Sequence, residues 1–100
     1  MVEKLIRNGE VAVIVSPEYG AGWSSWNKEV NPMDKRYVEL ILQGNILEAK
    51  ELAKKEGFYN GGLDKAIIVW VPEGWLFYIT DTEGAEELHY IDAPTKIYTA

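Results

Sequence analysis

The chain has 100 residues, enough for one small domain with its own hydrophobic core. Its 16 acidic and 10 basic side chains give a net charge of −6, which argues against binding duplex nucleic acid or an anionic membrane. It contains no cysteine, which excludes disulfides, thiolate metal sites and thiol chemistry.

The first predicted elements are two strands joined by a tight turn. They span residues 4–7 and 11–16 and flank Asn8-Gly9, a pair that type I′ hairpin turns favour because both positions need positive φ. The second strand is apolar on both faces, which predicts a central strand covered on both sides.

A loop rich in glycine and tryptophan follows, with the sequence SPEYGAGWSSWN over residues 16–27. Glycines let a backbone approach a ligand or a neighbour closely, and tyrosine and tryptophan rings offer flat surfaces for stacking. Gly20-Ala21-Gly22 lacks the third glycine and the immediate helix of a dinucleotide-binding fingerprint. We therefore expect a recognition loop without that fingerprint.

Two short helices are predicted next, over residues 32–43 and 46–56. Each has an asparagine as N-cap and a glycine at its end: Asn31 and Gly44 for the first, Asn45 and Gly57 for the second. Pro32 fits the first helical position.

Three strands over residues 66–71, 75–80 and 88–91 are predicted as an antiparallel meander, with a further short strand over 95–98. Pro-Glu-Gly and Thr-Glu-Gly turns separate the first three strands. The order β-β-α-α-β-β-β predicts an α+β fold, in which two consecutive helices pack on one face of an antiparallel sheet. We expect residues 1–100 to form a single domain.

Few residues could carry catalysis. His89 is the single histidine, and Ser16, Ser24 and Ser25 lack the context of an activated nucleophile. His89 is either a general base or a partly exposed structural residue, and the second is the more common situation. The sequence therefore predicts no enzyme activity, no metal site and no cofactor.

The turn between the last long strands is acidic, with Asp81, Glu83, Glu86 and Glu87. Such carboxylates can act as an acid–base pair or bind a hard cation, but a solvated hairpin tip is the usual structure. The start of the chain lacks the apolar core of a signal peptide, and no apolar run is long enough to span a membrane. We therefore expect a cytoplasmic protein.

The GAGWSSWN loop, the Gly-Gly element before a WVPEG hairpin and the acidic turn DTEGAEEL resemble a small protein family of tailed bacteriophages and prophages. The resemblance covers nearly the whole chain. It implies a protein of the host cytoplasm, with no settled activity. By analogy with small phage proteins, it implies an antagonist of host defence that blocks a host protein or sequesters a nucleotide signal.

Two functions are compatible with these features. The first is a non-enzymatic module, compatible with a homo-oligomer, that binds a small anionic planar ligand such as a nucleotide. Its site would consist of Tyr19, Gly20, Gly22, Trp23, Ser24, Ser25 and Trp26, with positive charge from Arg7, Lys28 and Arg36. The alternative is an acidic inhibitor that presents its hairpin to a basic surface of a host factor.

The loop tryptophans also leave two structural alternatives. Trp23 and Trp26 either stack on a ligand, or one or both of them cover the hydrophobic core. Trp70 and Trp75 lie in strands beside a hairpin turn, and we expect both in the core.

Overall fold

The computed structural model describes residues 2–90 and 97–100. In chain order, the elements are β1 (Ile6–Arg7), β2 (Glu10–Val15), α1 (Lys35–Leu42), α2 (Ile46–Glu56), a 3₁₀ turn (Gly61–Leu63), β3 (Ile67–Pro72), β4 (Leu76–Thr82), β5 (Ala85–Tyr90) and β6 (Tyr98–Thr99). The α+β class is confirmed, with two consecutive helices after two strands and before the remaining strands.

The strands form two three-stranded antiparallel sheets rather than the single predicted sheet. Their orders are β1-β2-β3 and β5-β4-β6. The predicted meander is wrong at its first turn, between β3 and β4, because β4 pairs with β5 and β6 rather than with β3. Gly74 N instead donates to Ala100 O at 2.7 Å, so the chain turns toward the C-terminal segment. The second turn is confirmed, since Thr82 pairs with Ala85.

The central strand β2 is covered on both faces, as predicted. Ala12 and Ile14 face a helix-side core that includes residues of α1 and α2. Val11, Val13 and Val15 face a sheet-side core that includes residues of β4 and β6. All five side chains are buried, so β2 is the shared wall of the two cores.

Helix α1 begins three residues later than predicted. Asn31 accepts a hydrogen bond from Met33 N at 2.9 Å and so forms a turn before the helix. Asp34 is the actual N-cap, and its Oδ1 accepts from Arg36 N at 3.1 Å. Asn45 precedes α2 as predicted but makes no capping side-chain hydrogen bond.

The predicted glycine stops and the first hairpin turn are confirmed. Gly44 and Gly57 follow the two helices with φ of +73° and +83°. Asn8 and Gly9 both have positive φ, as a type I′ turn requires. Strand β1 is shorter than predicted, with two residues.

The positions of the last strands differ from the prediction. Strand β5 begins at Ala85 rather than at residue 88. Residues 91, 95 and 96 of the predicted strands lie outside the described residues. Trp75 is 54% exposed, which contradicts its predicted core position, and its ring packs edge-on against Tyr90. Trp70 is half-buried and packs against the helix-side core.

Candidate functional site

A buried carboxylate from the acidic hairpin holds the tryptophan loop, which we define as residues 16–27. Glu86 in β5 is 4% exposed. Its Oε1 accepts from Ser16 N at 2.9 Å, and its Oε2 accepts from Trp23 N at 2.7 Å. Ser25 donates twice to Oε2, from its N–H at 3.0 Å and from its hydroxyl at 2.6 Å. A buried charge is tolerated when it is hydrogen-bonded in this way.

This carboxylate occupies the donors that an anionic ligand would need. Successive backbone N–H groups in a loop form a concave site for an anion. Here the amides of Trp23 and Ser25 already bind Glu86 of the same chain. The loop amides therefore bind a carboxylate of the same chain in the position that an external anion would take.

Two glycines outside the tryptophan loop allow the chain to pack closely against it. A Cβ at Gly62 would lie 2.3 Å from Gly22 O, and a Cβ at Gly84 would lie 2.4 Å from Ala21 N. Neither distance is tolerable for a side chain. Backbone atoms of the Gly-Gly element, at Gly62, and of the acidic turn, at Gly84, therefore lie directly against backbone atoms of the tryptophan loop.

Trp23 lies in the helix-side core. It is fully buried, and its ring centroid is 5.0 Å from that of Tyr37 and 6.2 Å from that of Phe58. Its Nε1 has no hydrogen-bond partner among the described residues. The alternative in which a loop tryptophan covers the core is therefore correct for Trp23, and its ring does not line a ligand pocket.

Trp26, three residues later, lies on the surface. Its side chain is 42% exposed, and its ring centroid is 5.3 Å from that of Tyr59, which is 50% exposed. Trp26 Nε1 donates to Asp81 Oδ2 at 3.3 Å. The other oxygen of Asp81 accepts from Gly84 N at 2.7 Å, which fixes this carboxylate on the hairpin.

Asn27 joins the two aromatic segments. Its Nδ2 donates to Trp23 O at 3.0 Å and to Tyr59 O at 2.9 Å. Its Oδ1 accepts from Tyr59 N at 2.9 Å. One side chain thus sets the position of Tyr59 beside the tryptophan loop.

Tyr19 belongs to the tryptophan loop, where the loop meets the tip of the acidic hairpin. It is 75% exposed, and the next residue, Gly20, donates its N–H to Glu83 O at 2.8 Å. Glu18 and Glu83 are exposed as well. We call this region the aromatic–acidic surface, and it consists of Glu18, Tyr19, Trp26, Tyr59, Asp81 and Glu83.

The two predicted arginines do not join this surface. Arg7 lies on β1, at the opposite end of β2, with its guanidinium 5.8 Å from the ring of Trp70. Arg36 on α1 forms ion pairs with Asp34 and Glu56, both at 2.8 Å. Hydrogen bonds to these two carboxylates raise the pKa of Arg36.

The remaining predicted site residues divide by burial. Ser24 and Gly22 are buried, and Ser25 is half-buried against Glu86. Gly20 is exposed in the loop, and Lys28 is exposed directly after it. The structure adds residues that the sequence analysis did not select: Asn27, Tyr59 and Asp81 at the surface, and Glu86 beneath it.

His89 lies away from the loop, on β5. Its Nε2 is 3.0 Å from Thr80 Oγ1 and 3.1 Å from Glu87 Oε1, and its ring stacks on Tyr78. A catalytic relay needs the carboxylate and the hydroxyl on different ring nitrogens, whereas here both contacts share one. Within residues 2–90 and 97–100, no group of three or more potential metal-ligating side chains is found.

In comparisons with models of known protein families, with curated proteins and with solved structures, nothing matches this chain. None of the helices in the described ranges is long and apolar enough to cross a membrane.

Proposed function

We propose that the protein is a non-enzymatic binding module that inhibits a host factor by docking its aromatic–acidic surface on a basic surface of that factor. The observation that carries this proposal is the exposed Trp26–Tyr59 pair, joined to Asp81 by a hydrogen bond.

The aromatic pair has the properties of a protein-binding anchor. Exposed neighbouring rings are typical of contact sites, and tryptophan and tyrosine are enriched among the residues that dominate binding energy. Asp81 and Asn27 hold Trp26 and Tyr59 in place before any partner binds. Such preorganisation reduces the conformational entropy lost on association.

The charge around the pair favours a basic partner. Asp81 is hydrogen-bonded to Trp26, Glu18 and Glu83 are exposed on the same loop and hairpin, and the whole chain carries a net charge of −6. An acidic surface increases the rate of encounter with a basic one. An arginine or lysine of the partner would gain a cation–π contact on Trp26 and a charge contact with Asp81.

The same features give less support to a small anionic planar ligand. Glu86 uses the amide donors of the loop, and the exposed carboxylate of Asp81 beside Trp26 would repel a phosphate. Arg7 and Arg36 lie elsewhere. The resemblance to small phage proteins supports a partner in the host cytoplasm.

The test is an NMR titration of the ¹⁵N-labelled protein that follows the four tryptophan indole N–H signals. The probes are an arginine-rich peptide, a glutamate-rich peptide of equal length, and a panel of nucleoside mono- and triphosphates. We expect the arginine-rich peptide to shift the Trp26 signal, and we expect added NaCl to weaken this binding because the attraction is ionic.

Variants then locate the binding energy. We expect Trp26→Ala and Asp81→Asn each to weaken binding of the arginine-rich peptide by about fivefold, the usual size of one cation–π or ionic contact. Trp75→Ala is the matched control, since Trp75 is similarly exposed outside this surface. A nucleotide that shifts the Trp26 signal when the peptide does not would contradict the proposal and favour the anionic ligand.

A further inference from the structure

Strand β3 forms an open edge of the first sheet over residues 67–71, before Pro72 at its end. The order β1-β2-β3 leaves its outer side without a strand partner among the described residues. Its sequence, IIVWVP, carries no charge. Natural edge strands usually carry charged residues that prevent pairing with another chain.

The side chains of β3 are only partly covered. Ile67 is 47% exposed, and Ile68, Val69 and Trp70 are half-buried. Their pairing partners in β2 are all buried. Beside this edge runs a groove of about 560 Å³, lined by Ile67 and Val69 of β3 and by apolar and polar residues of β4 and β5, among them Leu88, Thr80 and Glu87. A further strand beside β3 would complete the cover of these side chains.

The charges at the two ends of β3 identify the strand that fits. Lys65 precedes the strand and Glu73 follows it, each four residues from Val69. Both are exposed, and neither side chain has a hydrogen bond or ion pair with another described residue. An antiparallel copy of the same segment, aligned on Val69, would place each lysine opposite a glutamate.

We propose that a second copy of this chain pairs antiparallel with β3 about a two-fold axis at Val69. The pairing joins the β1-β2-β3 sheets of the two subunits into one sheet of six strands. Ile67 then lies opposite Val71 of the partner subunit, and Ile68 lies opposite Trp70 of the partner subunit. Lys65 at each end meets Glu73 of the partner subunit. This interface gives a surface to the homo-oligomer with which the sequence is compatible, and it is independent of the proposed function.

The first test is analytical ultracentrifugation at low ionic strength over a range of concentrations. We expect the wild-type chain to dimerise. Lys65→Glu and Glu73→Lys should each weaken the dimer about tenfold, because each replaces two attractive pairs with two repulsive ones. The double swap should restore the wild-type dissociation constant. Lys55→Glu makes the same charge change on α2 and should have no effect.

The second test uses the absence of cysteine. Residues directly opposite in an antiparallel pair have Cα atoms about 4.5–5.5 Å apart, within disulfide range. We expect Val69→Cys to form an intersubunit disulfide under mild oxidation. Leu47→Cys, on the 71% exposed position of α2, is a stringent control that should crosslink much less. A monomer at all concentrations, a dimer insensitive to both charge reversals, or no crosslink at position 69 would overturn the proposal.

Discussion

Trp23 and Trp26 are three residues apart in one loop, yet one is fully buried and the other is 42% exposed. Trp23 packs between Tyr37 and Phe58 of the helix-side core. Trp26 lies against Tyr59 and Asp81 at the surface. The loop thus has an inner side that stabilises the fold and an outer side available for contact.

The difference arises from the hydrogen bonds of the loop backbone. Glu86 binds the N–H groups of Trp23 and Ser25, and Asn27 binds Trp23 O. These bonds turn the chain sharply, so the two tryptophan side chains leave on opposite sides. A cluster of aromatic residues in a sequence can therefore combine a core residue with a recognition residue.

Replacing each loop tryptophan with alanine should give the largest difference in stability between the inner and the outer side. We expect Trp23→Ala to reduce the free energy of unfolding by roughly 3–5 kcal/mol, because it leaves a large cavity in the core. Trp26→Ala should cost about 1 kcal/mol or less in stability, and its main effect should be on peptide binding. Urea unfolding of both variants measures the difference. Equal losses of stability would contradict the division of the loop.

Removing the charge of Glu86 tests how much its hydrogen bonds to the loop contribute to stability. We expect Glu86→Gln to lower the unfolding free energy by about 2 kcal/mol, since an amide accepts fewer hydrogen bonds and turns an NH₂ group toward donors. Glu87→Gln is the matched control, because the neighbouring Glu87 is exposed. Its stability should stay within about 0.5 kcal/mol of the wild type. Thermal or urea unfolding decides the matter.

Adding a methyl group at Gly61 or at Gly62 tests the outer and the inner side separately, because the two positions face different neighbours. A Cβ at Gly62 would clash with backbone of the tryptophan loop, whereas a Cβ at Gly61 would meet the Tyr59 ring, with its hydroxyl at 2.8 Å. We expect Gly62→Ala to cost about 1–3 kcal/mol in stability. Gly61→Ala should displace the exposed ring and weaken peptide binding with a smaller loss of stability. The opposite ranking in urea unfolding would argue against the close loop contact.

The dependence of stability on acidic pH reports on Glu56 of the helix pair rather than on the tryptophan loop. Hydrogen bonds from Arg36 and then from Tyr37 lower the pKa of Glu56 below its ordinary value of 4.5. The folded state therefore binds fewer protons at this residue than the unfolded chain does, and the stability that it contributes is lost as the pH falls through its folded pKa. We expect Glu56→Gln to show a shallower decline of unfolding free energy below pH 4.5. An unchanged slope would exclude this contribution.

The smallest effect is expected at His89. Its ring contacts Thr80, Glu87 and Tyr78 on the face of β4 and β5 opposite to that of Asp81 and Glu86. We expect His89→Ala to leave peptide binding unchanged and to alter stability by about 0.5 kcal/mol or less. A folded variant that loses its biological effect would remove the main support for a non-enzymatic function.

Local signals in the sequence were sufficient for much of the fold. Asn8-Gly9 predicts its turn because few residue pairs accept two positive φ angles, and Gly57 predicts a helix end for the same reason. The division into two sheets was not predictable from these signals. It depends on β4 pairing with Tyr98 and Thr99 rather than with its neighbour in sequence.

The candidate site was predicted in part. The loop was selected correctly as a place where the backbone approaches something closely, but its close neighbours are Gly62, Gly84 and Glu86 of the same chain. Nothing in composition distinguishes Glu86 from the other acids of the hairpin. Only its position in the folded strand does so: Glu86 is buried against the tryptophan loop, whereas its neighbour Glu87, on the other face of β5, is exposed.

The bond between Ser25 and Glu86 spans 61 residues, which has a consequence for the newly made protein. The tryptophan loop leaves the ribosome long before the residue that fastens it. Until β5 is synthesised, Trp23 has its neighbours from the helices but no carboxylate to turn its backbone into them. We therefore expect the loop to be among the last parts to fold, and we expect a chain interrupted before residue 86 to bury Trp23 less completely and to be cleaved more readily by proteases.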